Sequence, residues 1–121
     1  MAAKGDDLED RLIRFAVMVI QLCDRLPPTP AGRHIAGQLL RSGTSPAPNY
    51  SEGRSAESRS DFIHKLRICL KELNESTVWL KMIRLARLLP AEEVDPVLDE
   101  SEQLGRIIGA SIKTAAAGQR R

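Results

Sequence analysis

The sequence predicts an all-α fold, an antiparallel up-and-down four-helix bundle whose second helix is kinked by prolines. Three observations carry this. Between the breaks at Pro27-Pro28-Thr29-Pro30, Ser42 through Gly53 and the region of Pro90, apolar residues recur with helical period, and no stretch alternates with period two. Phe62, Leu66, Cys69, Leu73, Ser76, Leu80 and Ile83 keep spacings of four and three throughout, the seam of knobs-into-holes packing. Finally, 121 residues of 42% hydrophobic content supply one core and not two, so residues 1–121 read as a single domain with frayed ends at 1–5 and 118–121.

The first helix starts near Asp6 or Asp7, whose carboxylates suit a helix N-terminus. Leu8, Leu12, Phe15, Ala16, Val19, Cys23 and Leu26 form its stripe, and Ile13, Val17 and Ile20 widen it. An apolar face this broad needs more than one neighbour. Thr29 before Pro30 opens the second helix, with Ile35, Ala36, Leu39 and Leu40 inward. Pro46 and Pro48 then end or kink it, and Asn49 through Ser58 resume it. Ser58 or Ser60 caps the third helix, in which Ile63, Leu70 and Trp79 flank the seam. The fourth runs from about Ala91 to Ala117, with a short first turn bending into a main helix at Asp95-Pro96. Val94, Val97, Leu98, Ser101, Leu104, Ile108, Ile112 and Ala115 share one of its faces.

Composition excludes several classes of function. A 28% charged chain with this apolar content is not disordered. No apolar run approaches the roughly 18 residues that span a bilayer, and MAAKGDDLED holds no signal-type stretch, so a cytoplasmic protein without membrane contact is expected. Two cysteines 46 positions apart make neither a disulfide scaffold nor a four-ligand zinc site. No phosphate-binding glycine loop occurs. Neither His34 nor His64 follows a glutamate at the spacing of bundle di-iron sites, and both read as surface residues. Nothing names a nucleophile with its base. Glu72 and Glu75 share a helical face and read as ion-pairing groups for Arg41 or Arg67. The expectation is a non-enzyme with no cofactor and no metal.

Charge is uneven along the chain. Residues 33–87 hold ten basic and five acidic side chains, whereas the segments before and after are net acidic. Arginine outnumbers lysine thirteen to five, and its planar fork suits phosphate or carboxylate. Arg41, Arg54, Arg59, Lys65 and Arg67 are therefore the candidate contacts to RNA or DNA through the backbone. Base reading is not expected, because Tyr50 is the one aromatic beside a loop.

Leu39-Leu40-Arg41-Ser42-Gly43-Thr44-Ser45, followed by Asn49-Tyr50-Ser51-Glu52-Gly53, resembles the signature of the four-helix bundle protein family found in intervening sequences of bacterial large-subunit ribosomal RNA genes. Ser58 through Ile68, Leu70-Lys71-Glu72, Glu75 and Trp79-Leu80 are similar to that family's third helix, and the likeness runs from Leu12 to Thr114. The resemblance implies a ring-shaped homopentamer. A related branch, the accessory protein of diversity-generating retroelements, is a basic pentamer that binds nucleic acid and a reverse transcriptase. Pro46 and Pro48 stand where the family usually has at most one proline. Physically, Asn49 suits the carbonyls exposed at a kink, and Glu52 has Arg41 or an arginine of the third helix as candidate partner. Tyr50, Gly53, Glu72 and Trp79 complete the structural signature. Two functions follow as expectations: a self-associating bundle engaging nucleic acid or a nucleic-acid-bound partner, or a protein–protein adaptor with no nucleic-acid role. Arginines held by intramolecular carboxylates favour the second.

Overall fold

A computed structural model describes residues 5–119. Five helical segments follow in order: α1 (Asp6–Arg25), α2 (Pro30–Thr44), α3 (Pro46–Arg54), α4 (Arg59–Leu85) and α5 (Ala91–Gln119). Among the described residues there is no strand. α2 and α3 form one arm bent by 17° at the prolines, so the molecule has four arms. α1 packs on α2, α3 and α5, and α4 packs on α2, α3 and α5, which puts α1 and α4 on a diagonal of the bundle.

Local chemistry sets each boundary. Gly5 precedes α1 with φ +98°, a backbone that L side chains rarely adopt. Thr29 accepts from the Gly32 amide at 3.1 Å and Ser58 from the Asp61 amide at 3.1 Å, which caps α2 and α4 as expected. α4 closes with the Leu88 amide on the Ile83 carbonyl (3.1 Å) and the Arg87 amide on that of Arg84 (3.2 Å). This is a Schellman end, with Arg87 at φ 56° where glycine is usual.

The prolines kink the second arm without ending it. Pro46 and Pro48 remove the amides that would bond Ser42 and Thr44, yet Ser45 keeps helical angles. Asn49 does not reach those two carbonyls and instead holds Ser45, the residue at the junction of α2 and α3. Its amide donates to the Ser45 carbonyl (3.3 Å), and its Nδ2 donates to the same oxygen and to Ser45 Oγ, each at 3.0 Å. Pro96 lies inside α5 near its start, so Ala91–Gln119 is one helix. Gly118 and Gln119 close α5, and Gly5 directly precedes α1. The calls for residues 1–4 and 120–121 lie outside the described residues.

The core runs the length of the bundle through Leu12, Phe15, Val19, Leu22, Leu39, Leu66, Leu73, Leu80, Leu104 and Ile108, all fully buried. Polar groups within it are matched. Ser76 donates to the Glu72 carbonyl (2.9 Å) and so accepts from Ser42 at 2.8 Å, which joins α4 to α2. Ser101 of α5 bonds the Leu73 carbonyl (3.2 Å) and Thr77 (2.9 Å). No buried side-chain nitrogen or oxygen among the described residues lacks a partner.

One packing expectation is corrected below. From Leu66 to Ile83 the α4 seam is completely covered by its own chain, so it offers nothing to a second copy. The surplus apolar surface lies elsewhere: Ile13, Val17 and Ile20 on α1, and Val78, Met82 and Leu85 on α4, each more than 40% exposed. Leu40 points outward rather than into the core, since it sits about 100° around the helix from buried Leu39.

Candidate functional site

The residues singled out from sequence divide into three groups. The first joins α2 to α4. Arg41 donates Nη1 to Glu72 Oε2 at 3.0 Å and Nη2 to Glu75 Oε2, and Trp79 Nε1 donates to that same Glu75 oxygen at 3.0 Å. His34 stands edge-on to Trp79 with ring centroids 5.9 Å apart. Glu72 is buried, and one guanidinium bridges both carboxylates. The ion-pair reading of Glu72 and Glu75 therefore holds with Arg41 as partner, whereas Arg67 is exposed elsewhere. An arginine committed to two carboxylates is not available to a phosphate.

The second group surrounds the α3–α4 turn. Arg54 bonds Asp6 at 2.6 Å and Glu9 at 3.5 Å, tying α3 to the start of α1. Its hydrogen bond to Asp6 raises the guanidinium pKa above its ordinary value. Glu52 pairs with Lys65 at 2.6 Å and not with an arginine, because two residues before α3 ends it faces the first turns of α4. Gly53 admits that approach: a Cβ on it would lie 3.0 Å from Lys65 Cβ. Tyr50 is buried rather than half-exposed, so it offers no stacking face; burial raises its pKa, partly opposed by Arg54. Asn49, Tyr50, Glu52, Gly53, Glu72 and Trp79 thus all have structural contacts that shape the second arm.

The third group is the outward face of α4. Arg67 is exposed, and the helical repeat sets exposed His64 and Lys71 on the same face. Arg59 is exposed at the helix start. None of these four makes an ion pair among the described residues. Of the five predicted cations, then, Arg41, Arg54 and Lys65 are held by carboxylates, and Arg59 and Arg67 are not. His64 and Lys71 were missed as members of this row, although their spacing from Arg67 was visible in the sequence.

The cysteines carry no reactive chemistry. Cys69 is buried and donates to the Pro46 carbonyl (3.3 Å); half-buried Cys23 donates to that of Ala36 (3.5 Å). Burial pushes the Cys69 thiol up to about 12, and burial with Asp24 pushes Cys23 up to about 11. A raised pKa in the folded state leaves stability intact below the ordinary thiol range and erodes it above, where only the unfolded chain ionises. Denaturation midpoints should be flat from pH 7 to 8.5 and fall from pH 9 upward, by up to ~1.4 kcal/mol per pH unit for each thiol. Cys69→Ala should reduce that slope; an unchanged slope would exclude the thiol as its source.

No group of three or more histidine, cysteine or acidic side chains among the described residues is placed to hold a metal ion. Among the described residues no helix is long and apolar enough to cross a membrane. Among curated proteins no significant match is found. A solved structure described as a protein of unknown function from the S23 ribosomal protein family of Bacteroides thetaiotaomicron is similar, at 33% identity and a TM-score of 0.82. The likeness covers 88% of this chain and 98% of that one. The model of the 23S rRNA-intervening sequence protein family matches residues 8–110. With the kinked second arm, the Asn49-to-Gly53 signature and this match in agreement, the chain belongs to the 23S rRNA-intervening sequence protein family.

Proposed function

We propose that this protein is a non-enzymatic scaffold that assembles with copies of itself and meets an anionic partner, RNA or DNA, along the outward face of α4. The observation that carries self-association is the pair of exposed apolar rows. Ile13, Val17 and Ile20 lie on α1, Val78, Met82 and Leu85 on α4, and these two helices are diagonal in the bundle. Unlike patches on opposite sides of a subunit suit a head-to-tail contact, and such contacts close into rings when the rotation allows. The family resemblance suggests five subunits. The nucleic-acid half rests on Arg67 and Lys71, exposed on that face and in no ion pair among the described residues. The adaptor reading draws on a specific observation too: Arg41, Arg54 and Lys65 are already held by intramolecular partners.

Light scattering at micromolar concentration should give a mass several times the 13.4 kDa chain. Val17→Asp and Met82→Asp should each dissociate it, because a head-to-tail contact uses both rows once. A monomeric wild-type protein would remove the assembly. A mobility-shift series on RNA should show binding at low salt that weakens steeply as salt rises, and Arg67→Glu with Lys71→Glu should abolish it. Absence of any low-salt shift leaves the adaptor.

A further inference from the structure

At the end of the bundle where α3 turns into α4, a cleft of about 1040 Å³ opens between the start of α1, the α3–α4 turn and the last turns of α5. Its size is at the upper end for small-ligand sites. The walls are mostly apolar, with partly exposed Leu8, Phe62 and Ile107 and exposed Ala110, and the hydroxyls of Ser111 and Thr114 lie along the α5 side. Ser111 donates to the Ile107 carbonyl at 3.0 Å, which leaves its oxygen as an acceptor.

The two arginines flanking the turn differ. Arg54 closes the edge toward α1, where Asp6 and Glu9 neutralise it. Arg59 reaches across to α5: a Cβ on Gly118 would lie 2.6 Å from its Nη1. No described carboxylate pairs with Arg59, and Glu57 on the same turn does not approach it within ion-pair distance. The cleft therefore has an apolar interior, with Arg59 at its far edge and Glu57 on the same turn, neither of them in an ion pair among the described residues. Tyr50 is buried, and the partly exposed ring of Phe62 adds to the apolar wall. An aliphatic chain ending in a carboxylate matches both features, the fork of Arg59 taking the two oxygens.

We propose that this cleft binds a small amphipathic carboxylate, its aliphatic body against Leu8, Phe62 and Ile107 and its head group at Arg59. Decanoate is the probe. Titrated into the full chain, it should give saturable shifts of the Leu8 and Ile107 methyl resonances. Decanol, with the same chain and no charge, should bind about tenfold more weakly, as should decanoate to Arg59→Gln. Ala110→Trp, at an exposed position of α5, should block decanoate by filling the cleft, and serves if Arg59→Gln fails to fold. Absence of saturable shifts, equal binding of decanol, or undiminished decanoate binding by Arg59→Gln would overturn the proposal. So would methyl shifts that follow protein concentration without decanoate, which would assign the cleft to contact between copies.

Discussion

Leu73→Ala should lower the unfolding free energy by about 3 kcal/mol, the middle of the range for truncating a buried leucine. Leu73 is fully buried at the centre of the α4 seam, and its carbonyl takes the Ser101 hydroxyl of α5 at 3.2 Å. The bond keeps the local backbone in place, so the walls cannot easily collapse into the void. For a domain stabilised by about 5–15 kcal/mol the loss is severe. Chemical denaturation is the measurement: the midpoint should drop with an unchanged slope. Val78→Ala, on the same helix but half exposed, is the comparison and should cost under about 0.5 kcal/mol in a dissociated subunit. Equal losses at the two positions would mean that the seam is not the centre of packing.

Gly32→Ala should destabilise by about 2 kcal/mol, although alanine is the better helix former. A Cβ at this position would lie 2.0 Å from the Pro27 carbonyl oxygen and 3.0 Å from its carbon, both backbone atoms. The turn cannot simply yield. Pro27, Pro28 and Pro30 restrict its torsions, buried Leu26 anchors one side, and Arg33 Nη1 holds the Pro28 carbonyl at 2.8 Å. Gly37, one and a half turns further along α2, meets nothing within 4 Å. Gly37→Ala should therefore stabilise by about 0.5–1 kcal/mol. Thermal melts of the two variants should move in opposite directions, and a shift of the same sign in both would refute the close-approach account.

Much of the fold was legible because each helix declares itself locally. Thr29 and Ser58 cap where capping residues precede an apolar period, and the Leu66-to-Ile83 spacing identifies a buried face wherever the helix is placed. Asn49 was legible as a residue suited to the kink, although it bonds Ser45 and not the two carbonyls that the prolines leave without an amide. Less visible were the choices among neighbours. Leu40 follows Leu39 in the same apolar stretch, and only the angle at which α2 meets α1 leaves it outside. Glu52 had several cations within reach along the chain, and the placement of α3 against α4 selects Lys65.

The candidate site divides in the same way. Counting charges located the basic middle of the chain but not its free surface, because an ion pair depends on the opposing helix. Arg41 and Arg54 meet acids 31 to 48 residues distant, at Glu72, Glu75, Asp6 and Glu9, while Arg67 projects from α4 and meets none.

By itself the sequence determined the number of helices, their faces, the kink and the family, since propensity, periodicity and capping act over a few residues of chain. Tertiary structure alone decided which cations keep their charge exposed, which apolar rows stay uncovered and that a cleft opens beside Arg59. Each of these depends on surfaces that meet only when distant segments pack, and local periodicity carries no record of that meeting.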